Sequence, residues 1–125
     1  MKKILLMLLV VIAAFTVKAQ DANNLVNALK SGNADQVSAY FDKMLDLKFP
    51  EKDEIKSMGK NQASIALKSF FNDQNIDGFE LSSQREMSGT MYIAGKLTNN
   101  NEGYKLSMMI RYKDGKPNII TIRIG

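Results

Sequence analysis

Four alternating runs between Phe79 and Ile124 constrain the fold of this chain more than anything else in it. Phe79, Leu81 and Ser83 share one face of the first run, which continues to about Met87. Met91, Ile93, Gly95 and Leu97 share one face of the second, and Tyr104, Leu106, Met108, Ile110 and Tyr112 one face of the third. Ile120, Ile122 and Ile124 do the same in the fourth. Residues two apart project to the same side of an extended chain, so each run is a strand with one apolar face. Ser88-Gly89, the loop from Asn99 to Gly103, and Asp114-Gly115 separate the runs, the last as a strong hairpin signal. Such runs form an antiparallel meander whose apolar face needs a cover.

The preceding segment supplies that cover. Ala22, Leu25, Val26 and Leu29 fall on one helical face, and Ser31-Gly32-Asn33 then breaks the pattern. Gly32 suits the left-handed position after a helix, and Asn33 caps a second helix, with Gln36 at capping-box spacing. Ala34, Val37, Tyr40 and Phe41 line that second helix. From Lys43 the period changes to two: Leu45, Leu47 and Phe49 alternate with Met44, Asp46 and Lys48 until Pro50. A charged turn from Glu51 to Lys56, with room for a short edge strand, leads to Gly59 and a third helix over about Lys60 to Asn72. Its apolar face carries Ala63, Leu67, Phe70 and Phe71. The order predicts an α+β domain: three helices packed on the concave face of a strongly curved, mostly antiparallel sheet of about five to six strands.

Met1 to about Ala19 has the three parts of a cleavable secretory signal peptide. Lys2 and Lys3 form the basic start, Ile4 through Val17 is uncharged and apolar, and Val17-Lys18-Ala19 places small residues where a signal peptidase reads. Cleavage is expected between Ala19 and Gln20, leaving residues 20–125 as one domain, exported to the periplasm or beyond the cell. The competing reading is an uncleaved anchor, but the run is short for a permanent membrane span. No cysteine follows to carry a lipid. Lys2, Lys3 and Lys18 leave with the leader, so the 17 basic residues fall to fourteen against 13 acidic ones, a net +1. The isoelectric point near 9.3 is therefore mostly a property of the leader. It gives no ground for nucleic-acid binding.

Catalysis and metal binding are constrained just as strongly. The chain has no cysteine and no histidine, which removes thiol nucleophiles, zinc-thiolate sites, the Ser-His-Asp triad and imidazole ligands. Asp42 and Asp46, four apart in an extended strand, stand roughly 13 Å from each other, too far to share a metal or a proton. Glu51, Asp53 and Glu54 are interleaved with Lys52 and Lys56 and lack the patterned oxygen ligands of a calcium loop. No metal set, catalytic set or cofactor motif is expected.

Several segments carry a family resemblance: Ala28-Leu29-Lys30-Ser31-Gly32-Asn33-Ala34, Tyr40-Phe41-Asp42, Lys68-Ser69-Phe70-Phe71, Tyr92-Ile93-Ala94-Gly95-Lys96-Leu97-Thr98 and Ile119-Ile120-Thr121-Ile122-Arg123-Ile124. Through them nearly the whole mature region resembles a family of secreted Bacteroidetes proteins classed as domain of unknown function 4783. More broadly, the element order is similar to that of the nuclear-transport-factor-2-like superfamily of cone-shaped domains. That resemblance implies a pocket between the helices and the concave sheet. Some members of the superfamily are isomerases, dehydratases or cyclases, and many others only bind ligands or partners. The enzymes usually place an acid or histidine in the pocket; here the inward parity sets contain Ser83, Arg85, Tyr104 and Tyr112 and no carboxylate.

The expected pocket lining is Tyr40, Phe41, Phe71, Arg85, Tyr104, Met108 and Tyr112, with Phe70 converging on the same interior. The ligand class that fits is small and hydrophobic, oriented by tyrosine hydroxyls. On the outer sheet face Tyr92, Met109, Arg111, Ile119 and Arg123 have the mixed composition of an interface and form the candidate homodimer or partner surface. Lys105, Arg111, Lys113, Lys116 and Arg123 form a basic strip, readable as a phosphate or acidic-glycan site or as a solubilising sheet edge. The expected function is a non-catalytic exported binding domain for a small ligand or a partner protein. Two alternatives stand beside it. One is an isomerase or dehydratase with Tyr104 or Tyr112 as electrophile and an inward Asp42 as base. The other is a homodimeric assembly module.

Overall fold

The computed structural model describes residues 21–100 and 102–125; the expected signal peptide and its cleavage site lie outside the described residues. Helix α1 occupies residues 21–30 and is followed by α2 (Ala34–Ser38), β1 (Phe41–Lys48), β2 (Ile55–Gly59) and α3 (Lys60–Asp73). Then come β3 (Gly78–Met87), β4 (Thr90–Thr98), β5 (Gly103–Lys113) and β6 (Lys116–Ile124). The strands make one six-stranded curved sheet in the order β2-β1-β6-β5-β4-β3, antiparallel throughout except for the parallel pair β1–β6. The expected meander is therefore present, and β1 joins its end with β2 as an edge strand. No described helix is long and apolar enough to cross a membrane.

Local sequence explains the helix junctions. The Gly32 amide donates to the Leu29 carbonyl and that of Asn33 to the Ala28 carbonyl, which closes α1 with the crossed bonds of a Schellman motif. Gly32 has φ +66°, and a Cβ there would run into the Ile76 carbonyl, so a side chain is excluded on both counts. Asn33 Oδ1 accepts from the Gln36 amide at 3.0 Å and caps α2.

The second helix is shorter than its apolar pattern suggests. It stops at Ser38, whose hydroxyl donates to the Ala34 carbonyl at 2.8 Å, and Phe41 already opens β1. The cause is tertiary. The Ile119 amide of β6 donates to the Tyr40 carbonyl at 2.7 Å, which fixes Tyr40-Phe41 in extended form beside a strand.

Register shifts reshape three strands. In β3 the pairing passes from Leu81 opposite Gly95 to Ser83 opposite Ala94, so Ser82 is an extra residue and the face of every later side chain reverses. In β6 the pairing passes from Ile119 opposite Ile110 to Thr121 opposite Met109, so Ile120 is the extra residue. Ile119, Ile122 and Ile124 then occupy the core, while Ile120 is half-buried. In β1 the register against β6 shifts between Phe41 and Asp46, which leaves Lys43 and Met44 both exposed. Bulges of this kind bend a sheet and raise its twist.

The concave face is covered by the helices. Leu25 and Leu29 of α1 and Ala63, Leu67 and Phe71 of α3 are buried in one cluster with Leu45, Leu47, Ile93, Leu97, Met108, Ile110 and Ile122. Among the described residues, no buried side-chain nitrogen or oxygen lacks a hydrogen-bond partner. The interior is packed and satisfied.

Candidate functional site

The space for a ligand lies at one mouth of the cone. A cleft of about 550 Å³ opens between the end of β1 with the turn that follows it, the C-terminal half of α3, and the start of β5. Its floor is an aromatic ladder. The ring centroids of Phe49 and Phe70 are 5.3 Å apart and tilted by 35°. Phe70 and Tyr104 are also 5.3 Å apart, edge to face at 74°. Phe49 keeps the inward parity of Leu45 and Leu47 one step past the end of β1, where it packs on Phe70 of α3 and stays half-buried.

The polar end of the cleft is fixed by Gln74, the residue that caps α3 at its C-terminus. Its Oε1 accepts from the Tyr104 hydroxyl at 2.7 Å, and its carbonyl accepts from Asn99 Nδ2, also at 2.7 Å. One residue thus ties the end of α3 to the β4–β5 loop and holds the tyrosine in place. Glu51, Asp73 and Glu102 line the cleft against a single cation, Lys52, and Ser69 adds a hydroxyl. An apolar floor under mainly acidic walls suits an apolar body that carries a positive charge.

The seven expected lining residues do not meet in one pocket. Phe41 and Phe71 are each 3% exposed and Met108 2%, so they are filled core. Tyr104 lines the cleft described above. Tyr40 borders a separate depression with Asn24, Asn27 and Gln36 of the helical hairpin. Tyr112 is half-buried against the core. Burial raises the Tyr40 hydroxyl pKa, helped by Asp21; burial also raises that of Tyr112, helped by Glu86 and Asp21. Arg85 is a correction: the extra residue at Ser82 turns it to the outer face, opposite Tyr92, and brings Gln84 and Glu86 opposite Ile93 and Met91 instead.

Asp42 stands on the outer side of β1. Its carboxylate accepts from Lys113 Nζ at 2.8 Å, and that hydrogen bond holds its pKa below the ordinary carboxylate value. Among the described residues, no group of three or more acidic side chains could hold a metal ion.

On the outer face, Tyr92, Met109 and Thr121 lie side by side across β4, β5 and β6. Tyr92 is 36% exposed and Met109 half-buried, while Arg111 and Arg123 are exposed. Arg123 Nε donates to Glu54 Oε1 at 3.0 Å. Ile119, expected in this surface, is instead fully buried, because the bulge at Ile120 turns it inward.

Phe49, Gln74 and the acidic walls do not stand out as a site in the strand and helix patterns of the sequence. The signal for Phe49 was its place one step beyond a strand end. For Phe70 it was a helix position flanking Phe71 rather than centred on the core.

Three helices in the concavity of a curved, open, mixed sheet define the nuclear-transport-factor-2-like fold. The chain is similar to an NTF2-like protein of unknown function from Burkholderia xenovorans (TM-score 0.64, 14% identity, covering 88% of this chain and 82% of that one). The chain belongs to the family described as Domain of unknown function (DUF4783), whose model matches residues 22–125. Crystal structures of family proteins agree. The one from Bacteroides uniformis has a TM-score of 0.74 at 22% identity, covering 82% of this chain and 93% of that one. The one from Bacteroides ovatus has a TM-score of 0.72 at 22% identity, covering 81% and 90%. No curated protein matches the chain.

Proposed function

We propose that this protein is an exported, non-catalytic binding domain that takes a small ligand with an apolar face and a positive charge in the cleft over Phe49, Phe70 and Tyr104. The observation that carries the reading is the ladder itself: three half-buried aromatic rings lining an open cleft at a mouth whose interior is otherwise packed. The volume of about 550 Å³ is within the range of small-molecule sites. Glu51, Asp73 and Glu102 add the charge preference. Export rests on the N-terminal sequence. The non-catalytic reading rests on the lack of histidine and cysteine and on Asp42 being engaged by Lys113 on the outer side of β1.

A matched pair of probes tests the reading. Phenethylammonium and phenylacetate share a ring and differ in charge. Titrating each into the labelled protein by NMR should move the Phe70, Gln74 and Tyr104 signals with the cation at millimolar concentration, and much less with the anion. Equal response to both, or none to either, would sink the cationic-ligand reading.

A further inference from the structure

The opposite surface of the sheet carries a second, unrelated arrangement. A trough of about 580 Å³ runs over the outer face of β4, β5 and β6. Its floor consists of Ala94, Gly95, Ser107 and the adjoining backbone, so nothing large rises from it. Around that floor stand Lys48, Lys96, Lys105 and Arg123, with the bulged Ser82 on one side. Strand pairing fixes their relation. Lys96 of β4 lies directly opposite Lys105 of β5, and Arg123 of β6 lies between Ser107 of β5 and Lys48 of β1.

Like charges directly opposite across a strand pair destabilise it, and this pair is not neutralised from within. The ion pairs found among the described residues are Lys68–Asp35, Lys113–Asp42 and Arg123–Glu54. None engages Lys48, Lys96 or Lys105. Glu80 lies across β3–β4 from Lys96 without forming an ion pair to it. Lys48 Nζ makes only a long 3.4 Å contact with the neighbouring Phe49 carbonyl. Four cations therefore line an apolar trough: Arg123 is paired with Glu54, the stem of Lys96 runs along Gly103 at the end of the hairpin, and Gly125, bonded through its backbone to Lys105, closes the trough beside them.

We propose that this trough is a binding site for the ester of a tetrahedral oxyanion, a phosphate or sulfate monoester. The lysines supply point charges, Arg123 and the Ser82 and Ser107 hydroxyls supply directional donors, and the ester's apolar body lies on Ala94 and Gly95. The mature chain's net charge of only +1 gives little long-range attraction, so the site acts through local contacts. It is separate from the aromatic cleft and does not depend on the reading given to it.

The experiment is an NMR titration of the protein purified after export with phenyl phosphate, phenyl sulfate and neutral benzyl alcohol. The amides of Ala94, Lys105 and Ser107 should shift saturably at millimolar ester and not with the alcohol. Binding should weaken as salt rises from roughly 20 to 300 mM. The double substitution Lys96→Met and Lys105→Met should cut affinity about tenfold or more while leaving the midpoint of thermal unfolding unchanged or higher, since it removes a like-charge pair. A preference for phosphate identifies a phosphate ester and equal binding a site that reads charge and shape; both support the proposal. Absence of a saturable shift with either ester overturns it. So does equal binding of the alcohol, or unchanged affinity in the folded double variant.

Discussion

The ring of Phe79 on β3 lies over Gly95 of β4, close enough that a Cβ on the glycine would stand 2.5 Å from Phe79 Cζ. The same Cβ would also run into the Glu80 carbonyl, which is backbone and cannot swing aside. An aromatic side chain that covers a strand glycine restores the packing the glycine lacks. The relation explains why a glycine interrupts an otherwise apolar inward face. Gly95→Ala should therefore destabilise the protein by about 3 kcal/mol, the upper end of overpacking costs. Urea unfolding followed by circular dichroism measures it, and a change below about 0.5 kcal/mol, the scale of a neutral surface substitution, would contradict the packing described.

The bulge in β6 predicts opposite behaviour for neighbouring isoleucines. Ile119 is 0% exposed and belongs to the core cluster, whereas Ile120 is the half-buried extra residue. Ile119→Ala should cost about 3 kcal/mol, in the range for truncating a buried side chain. Ile120→Ala should cost about 1 kcal/mol or less, since it was only partly removed from water. The ratio of the two unfolding free energies reads the register directly. A reversed order would mean that the strand follows simple alternation.

The Asp42–Lys113 pair gives a pH dependence of known sign. Its hydrogen bond lowers the Asp42 pKa in the folded state, so the folded form binds its proton less readily than the unfolded chain. The contribution is present above the unfolded carboxylate pKa and is lost as pH falls through the folded one. Lys113 is 48% exposed, so the pair is worth at most about 1 kcal/mol. Asp42→Asn should lower stability slightly at neutral pH and flatten the acid limb of a stability–pH curve. The two curves should converge in acid.

Tyr104 and Phe70 separate positioning from packing in the cleft. Tyr104→Phe removes the donor to Gln74 Oε1 but keeps the ring, so stability should fall by about 1 kcal/mol, the net worth of one hydrogen bond. Phe70→Ala removes the central ring of the ladder and should abolish the phenethylammonium response. Calorimetric unfolding and the NMR titration, run on both variants, check this. Full retention of probe binding in Phe70→Ala would remove the cleft from consideration.

Much of the architecture could be read from the residues. The helix breaks at Gly32 and Asn33, the strand pattern at Leu45 and Leu47, and the turns at Ser88-Gly89 and Asp114-Gly115 all rest on local rules. The site was less legible. Phe49, Phe70 and Tyr104 come from three elements far apart in the chain, and each one alone resembles a core residue. Only their half-burial at the open mouth distinguishes them from Phe41 and Phe71, which are fully buried.

The sequence by itself determined the element order and the apolar alternation, because side-chain periodicity and turn chemistry are local properties. Tertiary structure decided which face each residue takes. A bulge is defined by two residues opposing one on a partner strand, and nothing in Ser82 or Ile120 marks either as the extra one. Their insertion turned Arg85 outward and Ile119 inward, and pairing across β4 and β5 brought Lys96 against Lys105. Strand pairing supplies that information, because it adds the partner's constraint to a chain whose own alternation is indifferent to a slip of one residue.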